Sequence, residues 1–320
     1  MYKSIFYCCI LVMSMLLTAT GYATPLTSSD LLSGFNAIIL GNATTIADIE
    51  GAAIIGGNFS GATLYLNPRN IMLPTTFNAL NVYGSTYGNH MNMNNGGNAY
   101  VGGTAGATIN FNGGGSYIAT SPSMSITSIY SELVATSQYL SQLTANSYLP
   151  TPGNNEVITA TPDANGVAIF NITTNDLRLI PSYRIAANSA TTVIFNVSGS
   201  TLDFIANYQG DDSLFDHIVW NFFEATNLEF ETLLGGSVLA PNASVQNHNQ
   251  IDGTLVANSW TGQGELHEYA FDGALPTPTP RQPTVTPEPN VFVLFACGLL
   301  LIGLWRLWSV RRNSAAGAKD

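Results

Sequence analysis

The sequence predicts a mainly β fold, a solenoid of stacked parallel rungs with one long α-helix packed alongside. Three observations lead there. Short apolar runs recur along the chain, rich in β-branched and aromatic residues. Gly, Asn or Asp bounds each of them, and a five-residue pattern returns after 17 residues. With 320 residues, the chain has room for one sizeable domain once both ends are set aside.

Residues 1–23 read as a secretory signal. Lys3 gives a weakly positive start, Ile5–Leu17 is nearly all apolar, and Gly21-Tyr22-Ala23 supplies the small residues of a cleavage site. The domain then runs over 24–273. Its strand signals include Ala37-Ile38-Ile39-Leu40, Ala52-Ala53-Ile54-Ile55, Thr63-Leu64-Tyr65-Leu66 and Thr108-Ile109-Asn110-Phe111. Later ones are Val167-Ala168-Ile169-Phe170, Thr192-Val193-Ile194-Phe195 and His217-Ile218-Val219-Trp220. Gly236-Ser237-Val238-Leu239-Ala240 returns as Gly253-Thr254-Leu255-Val256-Ala257, and Gly41-Asn42, Gly57-Asn58 and Gly97-Asn98 echo one another. Glycine and asparagine tolerate the left-handed backbone of tight corners, and small residues let rungs stack at ~4.8 Å. An antiparallel sandwich is the competing fold, with hairpin turns every ~8–12 residues.

Between about 122 and 145 the period changes. Ile126, Ile129, Tyr130, Leu133, Leu140 and Leu143 fall on one helical face, with Ser121 as cap and Pro122 as first helical residue. Such a helix would be ~36 Å long, enough to lie along several rungs. Its apolar stripe is expected to pack on the solenoid flank, the other use being a partner's docking face.

The C-terminal end is an anchor device. A Pro/Thr-rich linker, 274–290, ends in Pro287-Glu288-Pro289 and, at ~3.1 Å per residue, reaches about 50 Å. Val291–Trp305 is short against the ~20 residues a membrane span needs. Extending the span over 291–310 includes Arg306, whose stem snorkels, and places Trp305 and Trp308 in an interfacial belt. Arg306, Arg311 and Arg312 form the membrane stop, and 311–320 is the cytoplasmic basic tail. Pro287, Glu288 and Pro289, the apolar span and the arginines together resemble the PEP-CTERM sorting signal of Gram-negative bacteria. That resemblance implies processing by an exosortase-type enzyme. Asn290 and the extension Asn313–Asp320 depart from the pattern, so retention as a single-pass protein stays open.

Charge excludes one class of partner. Between 24 and 280 there are three arginines, no lysine and 18 acids, a formal balance of −15. Nucleic acid needs clustered Lys or Arg to neutralise its phosphates. All three cysteines, Cys8, Cys9 and Cys297, lie outside the domain, which leaves it without disulfides, thiolate nucleophiles or cysteine-bound metal.

Two blocks of the domain resemble the choice-of-anchor A family, bacterial surface proteins that share an adhesin-like domain. The front block holds Phe35-Asn36-Ala37-Ile38-Ile39-Leu40-Gly41-Asn42, then Glu50, Gly51, Gly56, Gly57 and Asn58. The back block holds Gly236 to Ala240, Pro241, Asn242, Ala243, Gly253 and Gly264-Glu265-Leu266-His267, ending at Phe271. The resemblance implies a right-handed β-helix related to ice-binding-like solenoids, often with a helix alongside, and no established chemistry.

Candidate sites are few. Asp211, Asp212 and Asp216 bring three carboxylates within six residues, a density that would suit Ca²⁺ as the one cofactor to consider; a solvated acidic loop is the plainer reading. His217 beside Asp216 offers a base with its carboxylate, against an ordinary half-buried histidine. Glu50 would accept backbone N–H groups or pair with Arg69, Arg178 or Arg184. His267 would tie down the last rung. The sequons at Asn42, Asn58, Asn171, Asn196 and Asn242 read as chance in so Asn- and Thr-rich a chain. The expected function is a non-enzymatic, exported cell-surface or matrix protein, held in the inner membrane before any processing. Its expected partners are extracellular polysaccharide or a neighbouring cell surface, the membrane through its C-terminal helix, and no nucleic acid. A β-helix enzyme acting on polysaccharide and an ice-binding protein are the alternatives.

Overall fold

Every pairing between strands is parallel among the described residues, which removes the antiparallel sandwich. The structure, a computed structural model, describes residues 26–278 except 62, 66–75 and 89, together with 299, 300, 302, 305, 306 and 308. The chain divides into two units, Met1–Thr277 and Pro278–Asp320.

The rungs do not stack in sequence order. Along the first face the strands run Val167–Thr173, Thr192–Ser198, Ile218–Asn221, Ser237–Asn247, Leu255–Gly262, Ala37–Ile39, Ala53–Ile55, Leu80–Val82 and Ala99–Val101. The chain therefore enters at mid-stack with the short helix α1 (Ser28–Gly34) and winds to one end. It crosses back along α2 (Ile126–Ser141) to the other end, then winds inward until Leu255–Ala257 pairs with Ala37–Ile39. A second face follows the corner after seven of these strands, while the short helix Thr174–Arg178 follows Val167–Thr173 and a single bridge at Ala105 follows Ala99–Val101; three small sheets form the third face.

The first face is buried on both sides, which explains its unbroken apolar runs. Pointing inward, in register, are Phe170, Phe195, Trp220, Val238, Leu255, Ala37, Ala53, Leu80 and Ala99. Large rings fill the long circuits, where Phe170, Phe195 and Trp220 stack with centroids 4.7 and 4.1 Å apart. Small residues fill the short circuits. Pointing outward onto α1 and α2 are Ile169, Ile194, Val219, Leu239, Val256, Ile38 and Ile54. Leu31, Leu32, Ile129, Leu133 and Leu140 of the two helices cover them.

Helix α2 has 16 residues and begins at Ser125, not Ser121. The Ser125 side chain accepts the Ser128 N–H, while the Tyr83 hydroxyl donates to the Met124 carbonyl and holds the preceding segment extended. Pro122 thus lies outside the helix. At the far end Asn221, Asn196 and Asn171 donate from their side-chain amides to the carbonyls of Ser137, Leu140 and Leu143 at 2.9, 2.7 and 2.9 Å. These bonds tie the end of the helix and the turn after it to the rungs beneath, and the helix ends at Ser141, before 145. From Ile126, against Gly56, to Leu140, against Asn196, α2 covers ~21 Å, between four and five rung spacings of ~4.8 Å. Gly56 makes the approach possible: a Cβ there would sit 2.5 Å from the Ile126 side chain.

The domain ends later than 273. Leu275 is buried against the helix layer, and Tyr139 donates its hydroxyl to the Thr277 carbonyl at 3.1 Å. The expected signal, 1–23, and Pro287, Glu288, Pro289, Arg311 and Arg312 lie outside the described residues. So does most of the expected span 291–310, of which Leu299, Leu300, Ile302, Trp305, Arg306 and Trp308 are helical and exposed. Among the described residues no helix is long and apolar enough to cross a membrane, so the span has no support there.

Candidate functional site

The second face is a flat strip with alternating sides. Leu202, Leu228, Val245, Trp260, Ala43, Phe59 and Thr86 stack inward in register and are buried. The neighbouring outward column is Asp203, Glu229, Gln246, Thr261, Thr44, Ser60 and Tyr87, seven rungs long and about 29 Å from end to end. Two positions back along the strands runs a shorter column of Thr201, Asn227, Ser244 and Ser259. Strand pleat dictates this pattern: alternate residues must enter the core, so what remains is a ruled array of polar groups. Acids occupy one end, hydroxyls and an amide the middle, and the Tyr87 ring, 52% exposed, the other end.

The seam where the chain's first and last rungs meet lies at the middle of the stack. Asn36, buried, donates to the carbonyls of Gly253 and His267 at 2.8 and 3.0 Å and accepts the Gly51 N–H at 3.2 Å. Thr254 places its hydroxyl 2.8 and 2.6 Å from the carbonyls of Leu32 and Phe35. Glu50 accepts the Glu268 N–H at 2.9 Å, across 218 residues of sequence. His267 lies 2.8 Å from Asp252 through Nδ1 and 3.0 Å from Glu265 through Nε2. The Asp252 carboxylate above all, against partial burial and with help from Glu265, pushes the imidazole up to about 9. It is therefore a cation at neutral pH.

The family-block residues from front and back thus converge on this seam and on α2. Glu50 and Gly51 face His267 across the seam. Gly56 receives α2, and a Cβ on Gly57 would strike the Gly41 carbonyl. Asn58 accepts the Ser85 N–H at 2.9 Å, one step of a corner ladder in which Asn42 accepts the Asn58 N–H at 2.8 Å. Ala240 and Pro241 are buried, and Asn242 accepts the Tyr130 hydroxyl at 2.9 Å.

The acidic loop is not brought together as a Ca²⁺ site. Asp211 caps a 3-10 helix, Asp212–His217, by accepting the Ser213 N–H at 2.7 Å; the Ser213 side chain first, then this N–H, hold its carboxyl below the usual carboxylate range. Asp212 accepts the Tyr269 hydroxyl at 2.7 Å, and Asp216 lies 3.7 Å from His217, beyond hydrogen-bond reach. Each carboxylate is turned to its own neighbour, so the expectation of three converging oxygens fails. Glu50 is likewise committed to the seam, and Arg69 lies outside the described residues.

A family model described as "Putative Ice-binding-like adhesive domain" matches residues 28–268. No curated protein matches the chain. Three crystal structures of ice-binding proteins are similar to it. One, from an Antarctic Biological Consortium, is 14% identical with a TM-score of 0.37, covering 79% of this chain and 97% of that one. Another, from an Antarctic Flavobacteriaceae bacterium, is 12% identical with a TM-score of 0.33, covering 76% and 77%. The third, from the Antarctic ascomycete Antarctomyces psychrotrophicus, is 13% identical with a TM-score of 0.29, covering 74% and 95%.

Proposed function

Because the chain belongs to the ice-binding-like adhesive domain family, we propose that it is a non-enzymatic surface or matrix protein that grips extracellular polysaccharide or a neighbouring cell. The observation that carries this reading is the outward column from Asp203 to Tyr87. It offers hydroxyl, amide and carboxylate groups at one rung spacing, and a tyrosine ring for stacking on a sugar. A rigid array of this kind binds by many weak, pre-aligned hydrogen bonds, since little ordering entropy is lost on contact.

In the same reading the domain is of the choice-of-anchor A type and is exported behind the signal 1–23. It is held in the inner membrane through 291–310 and presented to an exosortase-type enzyme by Pro287, Glu288 and Pro289. The acidic balance keeps it from nucleic acid.

Retention of the full chain on immobilised extracellular polysaccharide and on whole cells tests the proposal. Binding should be lost in the Thr44→Arg, Thr261→Arg double variant while its melting temperature is unchanged. No retention on any polysaccharide or cell, with biofilm unaltered when the protein is deleted, sinks it. Ice is the second reading, favoured by the in-register pair Thr44 and Thr261 at the centre of the column. Thermal hysteresis without polysaccharide retention would select it.

A further inference from the structure

At the acidic end of the polar face, three side chains bring a metal-ligating atom each into one small cluster. Glu229 stands outward on its strand, Glu231 follows at the corner, and His248 occupies the matching corner of the next rung. One donor atom from each lies within 4.8 Å of the others. Their backbone is fixed by the rung pairing: Glu231 donates its N–H to Phe204 at 2.9 Å, and His248 to Phe230 at 2.8 Å. The site is therefore held by the ladder and not by loop geometry.

As the Gln246 amide is oriented, hydrogen bonding leaves this corner in conflict. The Nε2 atom of His248 lies 2.9 Å from Glu229 Oε1, 3.7 Å from Glu231 Oε1 and 2.9 Å from the side-chain amide nitrogen of Gln246. A single ring nitrogen cannot donate to the carboxylate and accept from the amide at once. Turning the Gln246 amide over would bring its oxygen to the same point, giving one imidazole nitrogen, two carboxylates and an amide oxygen around a shared centre. Charge points the same way. Between 24 and 280 there is no lysine, and the basic side chain that meets these two carboxylates is His248 itself.

We propose that Glu229, Glu231 and His248 bind a divalent transition-metal ion of the zinc class, with Gln246 beside it. Imidazole with two carboxylates suits Zn²⁺ in a four-coordinate site, whereas Ca²⁺ would demand six or more oxygens. The ion replaces the proton that His248 otherwise shares with Glu229. It locks two rungs together at the point where like charges crowd. The site stands whether or not the polar face holds polysaccharide.

Titration of the full chain with zinc chloride, after chelator treatment and its removal, tests this. Calorimetry should show one site per chain, and cobalt substitution should give the visible spectrum of an imidazole-ligated ion. His248→Gln and the Glu229→Gln, Glu231→Gln pair should each weaken binding by about tenfold or more. His90→Gln should bind as the native chain does. Metal-free melting curves matching the native one show that a variant is folded, and single Glu231→Gln gives an independent reading if the double variant is not. Absence of zinc uptake overturns the proposal. So does uptake that both variants leave unchanged, or calcium binding of equal strength that His248→Gln does not affect.

Discussion

His267 sits between Asp252 on the rung before it and Glu265 two residues back, with only a quarter of its side chain exposed. Its folded value of about 9 exceeds the ordinary histidine value of about 6.5, so folding takes up a proton. The stabilisation is complete below about pH 6.5 and disappears as pH rises through about 9, on the order of 3 kcal/mol. Melting temperature should therefore fall between about pH 7 and 10, and His267→Gln should flatten that fall; an unchanged slope in the variant would refute it. Tyr183 presents the opposite case. Its ring packs edge-on against Phe204, Tyr208 and Trp220, and its buried hydroxyl has no hydrogen-bond partner among the described residues. Burial raises its ionisation far above the usual phenol range. Tyr183→Phe should leave stability unchanged or raise it by about 1 kcal/mol in urea unfolding, because it removes a dehydrated polar group and little else. A loss of several kcal/mol would mean the hydroxyl is satisfied. The tie from His267 to the last rung was legible in the back block of the sequence. Asp252 as its partner was not, because fifteen residues separate two side chains that only the coil brings together.

Helix α2 was visible from its apolar stripe, since Ile129, Leu133 and Leu140 recur on one face and all are buried. Its ends were not, because neither is set by local preference. Tyr83 fixes the entry from a distant rung, and three asparagines fix the exit. Those asparagines follow aromatic residues at a constant 25-residue interval, in Phe170-Asn171, Phe195-Asn196 and Trp220-Asn221. The interval marks them as one column, while the reading of Asn171 and Asn196 as chance sequons concealed it. In the column each amide also serves the next: Asn221 donates to Asn196 at 2.8 Å and Asn196 to Asn171 at 3.0 Å. Asn196→Ala should cost about 1–3 kcal/mol, since it breaks the chain at its centre, leaving the Asn221 amide without its acceptor and removing one of the donors to the Leu140 carbonyl. Asn171, exposed, should cost less than half as much on the same substitution. Denaturant unfolding of both variants decides it, and equal losses would show that the column does not act as a unit. Gly56→Val should be comparably severe, with its new side chain driven into Leu40 and Ile126.

A repeat count alone could not have disclosed the order of the stack. Successive circuits differ in length, 25 residues where rings fill the core and 16 or 17 where alanines and valines do, so no single period runs through the chain. The front and back blocks were recognisable, yet their meeting had to be seen in the seam. Winding from the middle has a kinetic consequence. The two halves of the stack cannot join until residues as distant as Glu50 and Glu268 are brought together, and such long-range closure slows folding. Both ends of the domain lie on α2, Ser28 at Glu132 and Thr136, and Thr277 at Tyr139. A linker of about six Gly and Ser residues spans the ~10 Å this implies along the helix. A circular permutant that starts at Ser121, joins Thr277 to Leu26 and ends at Thr120 would wind its rungs in their spatial order. It should keep the circular dichroism of the native domain and refold several-fold faster, with the unfolding rate little changed. Refolding at the native rate would mean that closure of the seam is not the slow step, and failure to fold would mean that the covalent link from the front rungs into α2 is required.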